Sequence, residues 1–416
     1  MTWSDIKKIG FFLGLYFWVF AAAAQVRMGD FLGSAMQDPE LEVLSKQINY
    51  LNKGQYRLAP VRSIEFRTQN SQLGSGEQQY EFRLNPANPW EIKYTNRVFR
   101  TQQMALSLEK ELLFKALLEK RYQVVNDLLY LNELRDIREA LIQNTENQIT
   151  VLEKQKGSSF FDAEDFVELK LEQMEEQVDI ASFNFQVEQK TKDMQQLYPT
   201  GNKTVPAWRY AEVISLPRLE KLVDSLLHTT LFSTRLAYRQ EKVALADYEH
   251  ALQKANINPG FIQTEYMPYR FSESKNPMGI SMGVTIPLFN PNKADMAQKK
   301  LDVLEAETKL TLEKQQATDE VTNLLGALKN YLVQHQKLEQ KIASYKQNET
   351  VSAVNALTNN NPLITLKFNG QLLKLRKIQV ELKNEIYRTY IALLATSDLL
   401  NQKPLINFLS PSLQPL

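Results

Sequence analysis

The residue types that most often carry chemistry are thin in this chain. Three histidines, His228, His250 and His335, are scattered along 416 residues. None has a second histidine or a carboxylate at ligand spacing, so they read as surface or packing residues. Cysteine is absent, which removes thiol catalysis, thiolate metal sites and disulfides together. No phosphate loop, dinucleotide fingerprint, zinc-protease pair or EF-hand loop occurs, so no enzymatic role, metal or cofactor is expected. The net charge is +1 with no basic patch interleaved with aromatics, which argues against nucleic acid as a partner. What remains is a set of alternating charges, Glu65 and Arg67, then Glu81 and Arg83. On the lining of a water-filled space, such charges tune the passage of ions.

The alternation is the signature of strands with two unlike faces. Met278, Ile280, Met282, Val284, Ile286 and Leu288 are apolar, and Gly279, Ser281, Gly283 and Thr285 between them are small. Tyr80, Phe82 and Leu84 keep the same even parity. Even positions are therefore expected to face lipid, while Glu65, Arg67, Glu81, Arg83, Gly279, Ser281, Gly283 and Thr285 face a lumen. The polar segments "SQLGSGEQ" and "SESKNPM" supply hairpin loops. A buried hairpin in a soluble β-domain is the other reading of this alternation. Strands of about 10 to 12 residues would cross an outer-membrane hydrocarbon layer. The methionines Met278 and Met282 fall on the proposed lipid face, so a copper relay gets little support.

The amino terminus reads as an export signal: Lys7 and Lys8, the apolar run "IGFFLGLYFWVF", then "AAAAQ", with cleavage expected after Ala24. A single anchor helix is the alternative. No later apolar run approaches the ~18 residues a membrane helix needs, so any membrane insertion must be as a β-barrel.

The sequence also says one thing twice, at an offset of about 200 residues. "LNKGQYRLAPVRSIEFRTQN" lies beside "LQKANINPGFIQTEYMPYRF", and "QYEFRLNPANPW" beside "SMGVTIPLFNPN". Each half reads as helix, strand, turn, strand, long helix, tip, helix. The expected division is a signal peptide at 1–24, a first repeat at 25–200 and a linker or surface belt at 201–220. A second repeat at 221–403 and a tail at 404–416 follow. The hairpins are expected at about 57–85 and about 259–289, and the tips near 157 and 360.

Few breakers interrupt the helical runs from about Asn96 to Lys156 and from Lys293 to about Glu349. At 1.5 Å per residue the first would extend ~90 Å, far beyond a globular core. Leu113, Leu117, Val124, Leu128 and Leu131 form one apolar stripe, with Phe114, Leu118, Val125 and Leu129 beside it. A double stripe suits a helix with a neighbour on each side, such as a stave in a cylinder, or a helix buried in a bundle. Gly157 and Ser158 mark the first reversal, and Asn359, Asn360 and Asn361 before Pro362 mark the second.

With these features in place, the chain resembles the TolC family of outer-membrane efflux proteins over essentially its whole length after the signal segment. The resemblance is carried by "GISMGVTIPLFNPNKADMAQKKLDVLEAE" and by the tip "KGSSFFDAEDFVELKLEQ". It implies a mainly α fold with a membrane β-barrel, in which a homotrimer builds a twelve-stranded barrel, four strands per protomer. Long α-helical hairpins would continue it as a trimeric α-barrel in the periplasm of a Gram-negative bacterium. The implied function is a passive exit duct for a tripartite efflux or type I secretion system. Its implied partners are outer-membrane lipid, a periplasmic adaptor (membrane fusion protein) and an inner-membrane RND- or ABC-type pump. An exported periplasmic coiled-coil adaptor or structural protein is the alternative. Some family members narrow the periplasmic mouth with aspartates in the second repeat, but Val351 to Leu366 contains no Asp or Glu. Asn359 to Asn361, or Asp162, Glu164 and Asp165, are the nearest substitutes as gate residues.

Charge adds one expectation. The first returning helix is acidic (Asp162, Glu164, Asp165, Glu168, Glu172, Glu175, Glu176, Asp179), and the second is basic (Lys367, Lys374, Arg376, Lys377, Lys383, Arg388). Opposite charge would set them side by side and help hold the mouth shut; solvated outer faces are the plainer reading.

Overall fold

The computed structural model describes residues 26–54, 56–70, 78–157, 161–199, 206–227, 233–257, 259–268, 277–285, 292–347 and 362–416. The expected signal segment lies outside them, as do His228, Ser158, Ile286, Leu288 and Asn359 to Asn361. Helices are α1 (Met28–Gly33), α2 (Pro39–Asn52), α3 (Pro89–Lys154), α4 (Ala163–Leu197), α5 (Leu216–Leu227), α6 (Thr234–Ala255), α7 (Lys293–Gln347) and α8 (Pro362–Thr396). Strands are β1 (Val61–Asn70), β2 (Gln78–Pro86), β3 (Gly260–Tyr266) and β4 (Met278–Val284). The order α2-β1-β2-α3-α4 thus recurs as α6-β3-β4-α7-α8.

The chain forms two compact units that cut across the repeats. One takes the described residues of Pro39–Leu113 and Ser233–Thr318; the other takes those of Met1–Asp38, Phe114–Phe232 and Asp319–Leu416. Both α3 and α7 contribute to each.

In the strand-bearing unit, the four strands pair antiparallel in chain order, β1-β2-β3-β4. The central pairing, β2 with β3, joins the two repeats. Asn88 Nδ2 donates to Ala255 O at 2.8 Å, tying the root of one hairpin to that of the other. Asn88 Oδ1 also accepts from Trp90 N at 3.0 Å, and Pro89 occupies the first helical turn, so α3 starts seven residues before the expected Asn96. Asparagine followed by proline is a start signal, because proline lacks only an amide that the first turn leaves unbonded. β3 and β4 have 7 residues each, shorter than expected. Val284 pairs with Gly260, the first residue of β3, so Thr285 lies beyond the ladder and is not the strand residue it was expected to be. Gly260 holds φ +121°, a conformation that favours glycine.

In the other unit most of both expected stripes of α3 is buried, namely Leu117, Val124, Leu128 and Leu131, and Leu118, Val125 and Leu129, while Phe114, like Leu113 in the strand-bearing unit, is half-buried. Leu118, Val124, Val125, Leu128 and Leu129 share a core with Ile386, Tyr390 and Leu394 of α8 and with Ile214, Leu219 and Leu409, while Leu131 packs with Leu134 and Phe183. The described part of the linker, from residue 206, does not stay at the surface. Trp208, Tyr210, Val213 and Ile214 are buried. Asn132 Nδ2 donates to Pro206 O and Trp208 O at 3.0 Å each, and Trp208 Nε1 donates to Val26 O at 3.2 Å. With its polar atoms satisfied internally, a proline-bearing segment can enter the core at little cost. The tail joins it: Ile214 N donates to Leu409 O at 2.8 Å, and Tyr122 OH to Ile406 O at 3.2 Å.

Candidate functional site

Residues directly opposite in a ladder share a face, so the register settles the two faces of the sheet. One carries the rows Ile64–Leu84–Ile262–Met282, Phe66–Phe82–Thr264–Ile280 and Thr68–Tyr80–Tyr266–Met278, with Val284 beyond. The expected apolar set Tyr80, Phe82, Leu84, Met278, Ile280, Met282 and Val284 is therefore contiguous, and β1 and β3 extend it. It is also bare: Ile280 is 81% exposed, Met282 72% and Phe66 67%. Such an expanse of apolar side chains is far more than scattered surface hydrophobics, and marks a surface that something apolar covers.

The opposite face holds Glu65–Arg83–Gln263–Ser281 and Arg67–Glu81–Glu265–Gly279. Arg67 stands across from Glu81 but turns along its own strand to Glu65, with Nη2 at 2.5 Å. Asn85 Nδ2 also donates to Glu65, at 2.7 Å. Arg83 Nε donates to Gln263 Oε1 at 2.8 Å, and Gln263 Nε2 to Glu265 Oε1 at 2.8 Å. Ser281 Oγ reaches the same carboxylate at 3.4 Å. A polar network thus spans all four strands.

The space beside Gly283 on this face is filled. The ring of Phe261 lies where a Gly283 side chain would stand, and Glu265 packs within 3.8 Å of where a Gly279 Cβ would sit. Arg83 then stacks its guanidinium 4.0 Å from the Phe261 centroid. Small residues on β4 accommodate large ones on β3. Phe261, Gln263 and Glu265 escaped the sequence reading, although they continue the parity of Glu65 and Arg67 and the alternation could have shown them.

At the first tip, Gly157 adopts φ +90° just past the end of α3, the left-handed ending that glycine permits. Asp162 is committed to its own helix: its carboxylate accepts from Glu164 N and Asp165 N at 2.9 and 3.1 Å. Asp165 pairs with Lys367 at 2.5 Å and Glu172 with Lys374 at 2.7 Å, so the acidic and basic returning helices are joined side by side. No ion pair of Arg376 or Lys377 is found among the described residues. Glu176 accepts from Thr145 Oγ1 at 3.2 Å while its other oxygen is buried without a partner, and desolvation raises its pKa.

His335 is only 5% exposed. Contrary to the sequence reading, it has a carboxylate in reach, since Glu339 lies one turn on with Oε2 4.0 Å from Nδ1. Burial holds the imidazole pKa below its ordinary value. Among the described residues, no group of three or more acidic or histidine side chains could hold a metal, and no helix is long and apolar enough to cross a membrane.

No protein-family profile and no curated protein matches the chain. Solved structures do. A membrane protein from Pseudomonas aeruginosa aligns at 12% identity and TM-score 0.66, covering 89% of this chain and 93% of that one. The MtrE outer membrane channel of Neisseria gonorrhoeae, in its open state, aligns at 13% identity and TM-score 0.64, over 90% and 89% of the two chains. The outer membrane protein VceC of Vibrio cholerae aligns at 13% identity and TM-score 0.64, over 89% and 95%. The chain has the TolC-type channel fold. That fold combines a four-stranded antiparallel sheet, here β1 to β4, with long α-helices, here α3, α4, α7 and α8.

Proposed function

We propose that the protein is an outer-membrane exit duct of a Gram-negative bacterium, a homotrimer whose twelve strands close into one barrel. It is a passive conduit, not an enzyme, and works in a tripartite efflux or type I secretion system. An inner-membrane pump of RND or ABC type, reached through a periplasmic adaptor, supplies the energy.

One observation carries this reading: a four-stranded sheet with a bare apolar face on one side and a charged network on the other. That is the inverted pattern of a barrel set in lipid around water. Among the described residues β1 and β4 each have a neighbour on one side only. Unpaired strand amides in hydrocarbon cost several kcal/mol each, so the sheet must be completed by further strands, and copies of the same chain supply them. About eight strands would pack their interior solid, whereas twelve leave a passage.

Fractionation of cells expressing the protein, followed by planar-bilayer recording, tests this. The protein should stay in the outer-membrane fraction through salt washing and should give stepwise conductance. Release by salt, or an unbroken electrical baseline, rejects the duct.

A further inference from the structure

Towards the first tip, α3, α4 and α8 line a continuous groove that lies wholly within one of the two units. One stretch, of about 760 Å³, has apolar walls: Leu141 and Ile142 from α3, Met174 and Val178 from α4, and Ile378 from α8. The next stretch, of about 520 Å³, shares Leu141, Glu172, Glu175 and Lys374 with the first and is polar. Its floor carries Asn144 and Gln148, one turn apart on α3. They are only 8% and 5% exposed, yet neither carboxamide makes a hydrogen bond among the described residues. Amides so deeply placed ordinarily have partners. Gly370 of α8 leaves the space above them clear, since a Cβ there would stand 2.8 Å from Asn144 Nδ2.

The charge of the lining decides what would enter. Three ion pairs cancel within it: Asp165 with Lys367, Glu172 with Lys374, and Asp179 with Arg138. Among the described lining residues these leave Glu168, Glu175, Glu176 and Glu381 against Lys377 alone. We propose that the groove binds an organic cation, a protonated primary amine with an apolar body. An ammonium offers three donors, and a half-turn of the Asn144 and Gln148 amides presents their oxygens to it. Glu175 lines both stretches, so its carboxylate stands where the charged end of such a ligand meets its apolar body. The body then lies along Leu141, Met174, Val178 and Ile378, the arrangement of a mainly apolar site with a few polar groups that fix orientation. A bare metal ion would leave the apolar stretch unused, and no group of three or more acidic or histidine side chains among the described residues could hold one. The groove involves neither the sheet nor a bilayer, so this inference stands apart from the exit-duct reading.

Isothermal titration of the full chain in phosphatidylcholine nanodiscs, with the heats of empty nanodiscs subtracted, tests this. The titrants are phenethylammonium, its neutral counterpart 2-phenylethanol, and ethylammonium, which keeps the charge without the ring. Phenethylammonium should bind at least about tenfold more tightly than either of the others. Glu175→Gln should weaken it at least about threefold and leave 2-phenylethanol unchanged. Lys377→Gln removes the lone opposing cation and should tighten phenethylammonium, a gain that misfolding cannot produce. Equal affinity for phenethylammonium and 2-phenylethanol overturns the site, as do affinities that neither substitution moves. An absence of binding heat with all three titrants also overturns it, and is the result expected if another copy of the chain covers the groove.

Discussion

Lys374 Nζ lies 2.7 Å from Glu172 Oε1, and the two residues stand 202 positions apart in sequence. Lys367 and Asp165 are separated by the same 202 positions and meet at 2.5 Å. The pairs are seven residues apart on each helix, two turns, so they repeat along one seam between α4 and α8. Both lysines are about half exposed, so each pair is worth about 0.2–1 kcal/mol. Glu172→Lys and Lys374→Glu should each destabilise the protein, and the exchange of both should recover most of the loss. A double-mutant cycle on urea unfolding in detergent measures the coupling, which should shrink in high salt. Coupling of zero would show that the seam is packing alone. Reversal of Lys374, Arg376 and Lys377 to Glu should also raise conductance if the seam helps hold the mouth shut.

The two faces of β4 should respond oppositely to charge. Ile280 and Ser281 are adjacent, but Ile280 belongs to the bare apolar face and Ser281 to the polar network. Ile280→Arg should cost about 2–4 kcal/mol of folding into bilayers, the penalty for a cation near the midplane. Ser281→Arg should insert normally and change ion selectivity instead. Equal effects from the two variants would contradict the assignment of faces.

Gly283 is small because Phe261 needs its space. Gly283→Ala should displace the ring, and with it the Arg83 guanidinium stacked above, at a cost of about 1–3 kcal/mol. In a Phe261→Ala background the same substitution should cost far less. Thermal unfolding of the four variants reads the difference.

His335 should make the protein sensitive to mild acid. Its folded-state pKa lies below the ordinary histidine value of about 6.5, with burial the main cause, Lys383 adding to it and Glu339 opposing it. The unfolded chain therefore binds the proton more tightly. The stability that neutral His335 contributes is present above the ordinary value and is lost as pH falls through the lower folded-state one. Thermal midpoints recorded from about pH 7.5 to about pH 5 should fall less for His335→Gln than for the unaltered chain. Parallel curves would remove His335 from the acid response.

Much of this was legible in the sequence, because period and breakers are local. The even parity of Phe82 and Ile280 marked a shared face, and the run without proline or glycine after Trp90 marked α3. Pairing across the repeats was not legible: a period of two fixes which way Arg83 points but not that Gln263 is its neighbour. The segment around Trp208 misled for a similar reason. Its prolines and polar residues look like surface, and only Asn132, 76 positions away, satisfies the carbonyl that lets it enter the core. Phe261 filling the space above Gly283 depends on register, which no single strand reveals.

The mass of the detergent-solubilised protein, with bound detergent subtracted, tests the central claim most directly. Three chains per particle are expected, since one sheet of four strands cannot close on itself. A single chain per particle that stays dispersed once detergent is removed would contradict it.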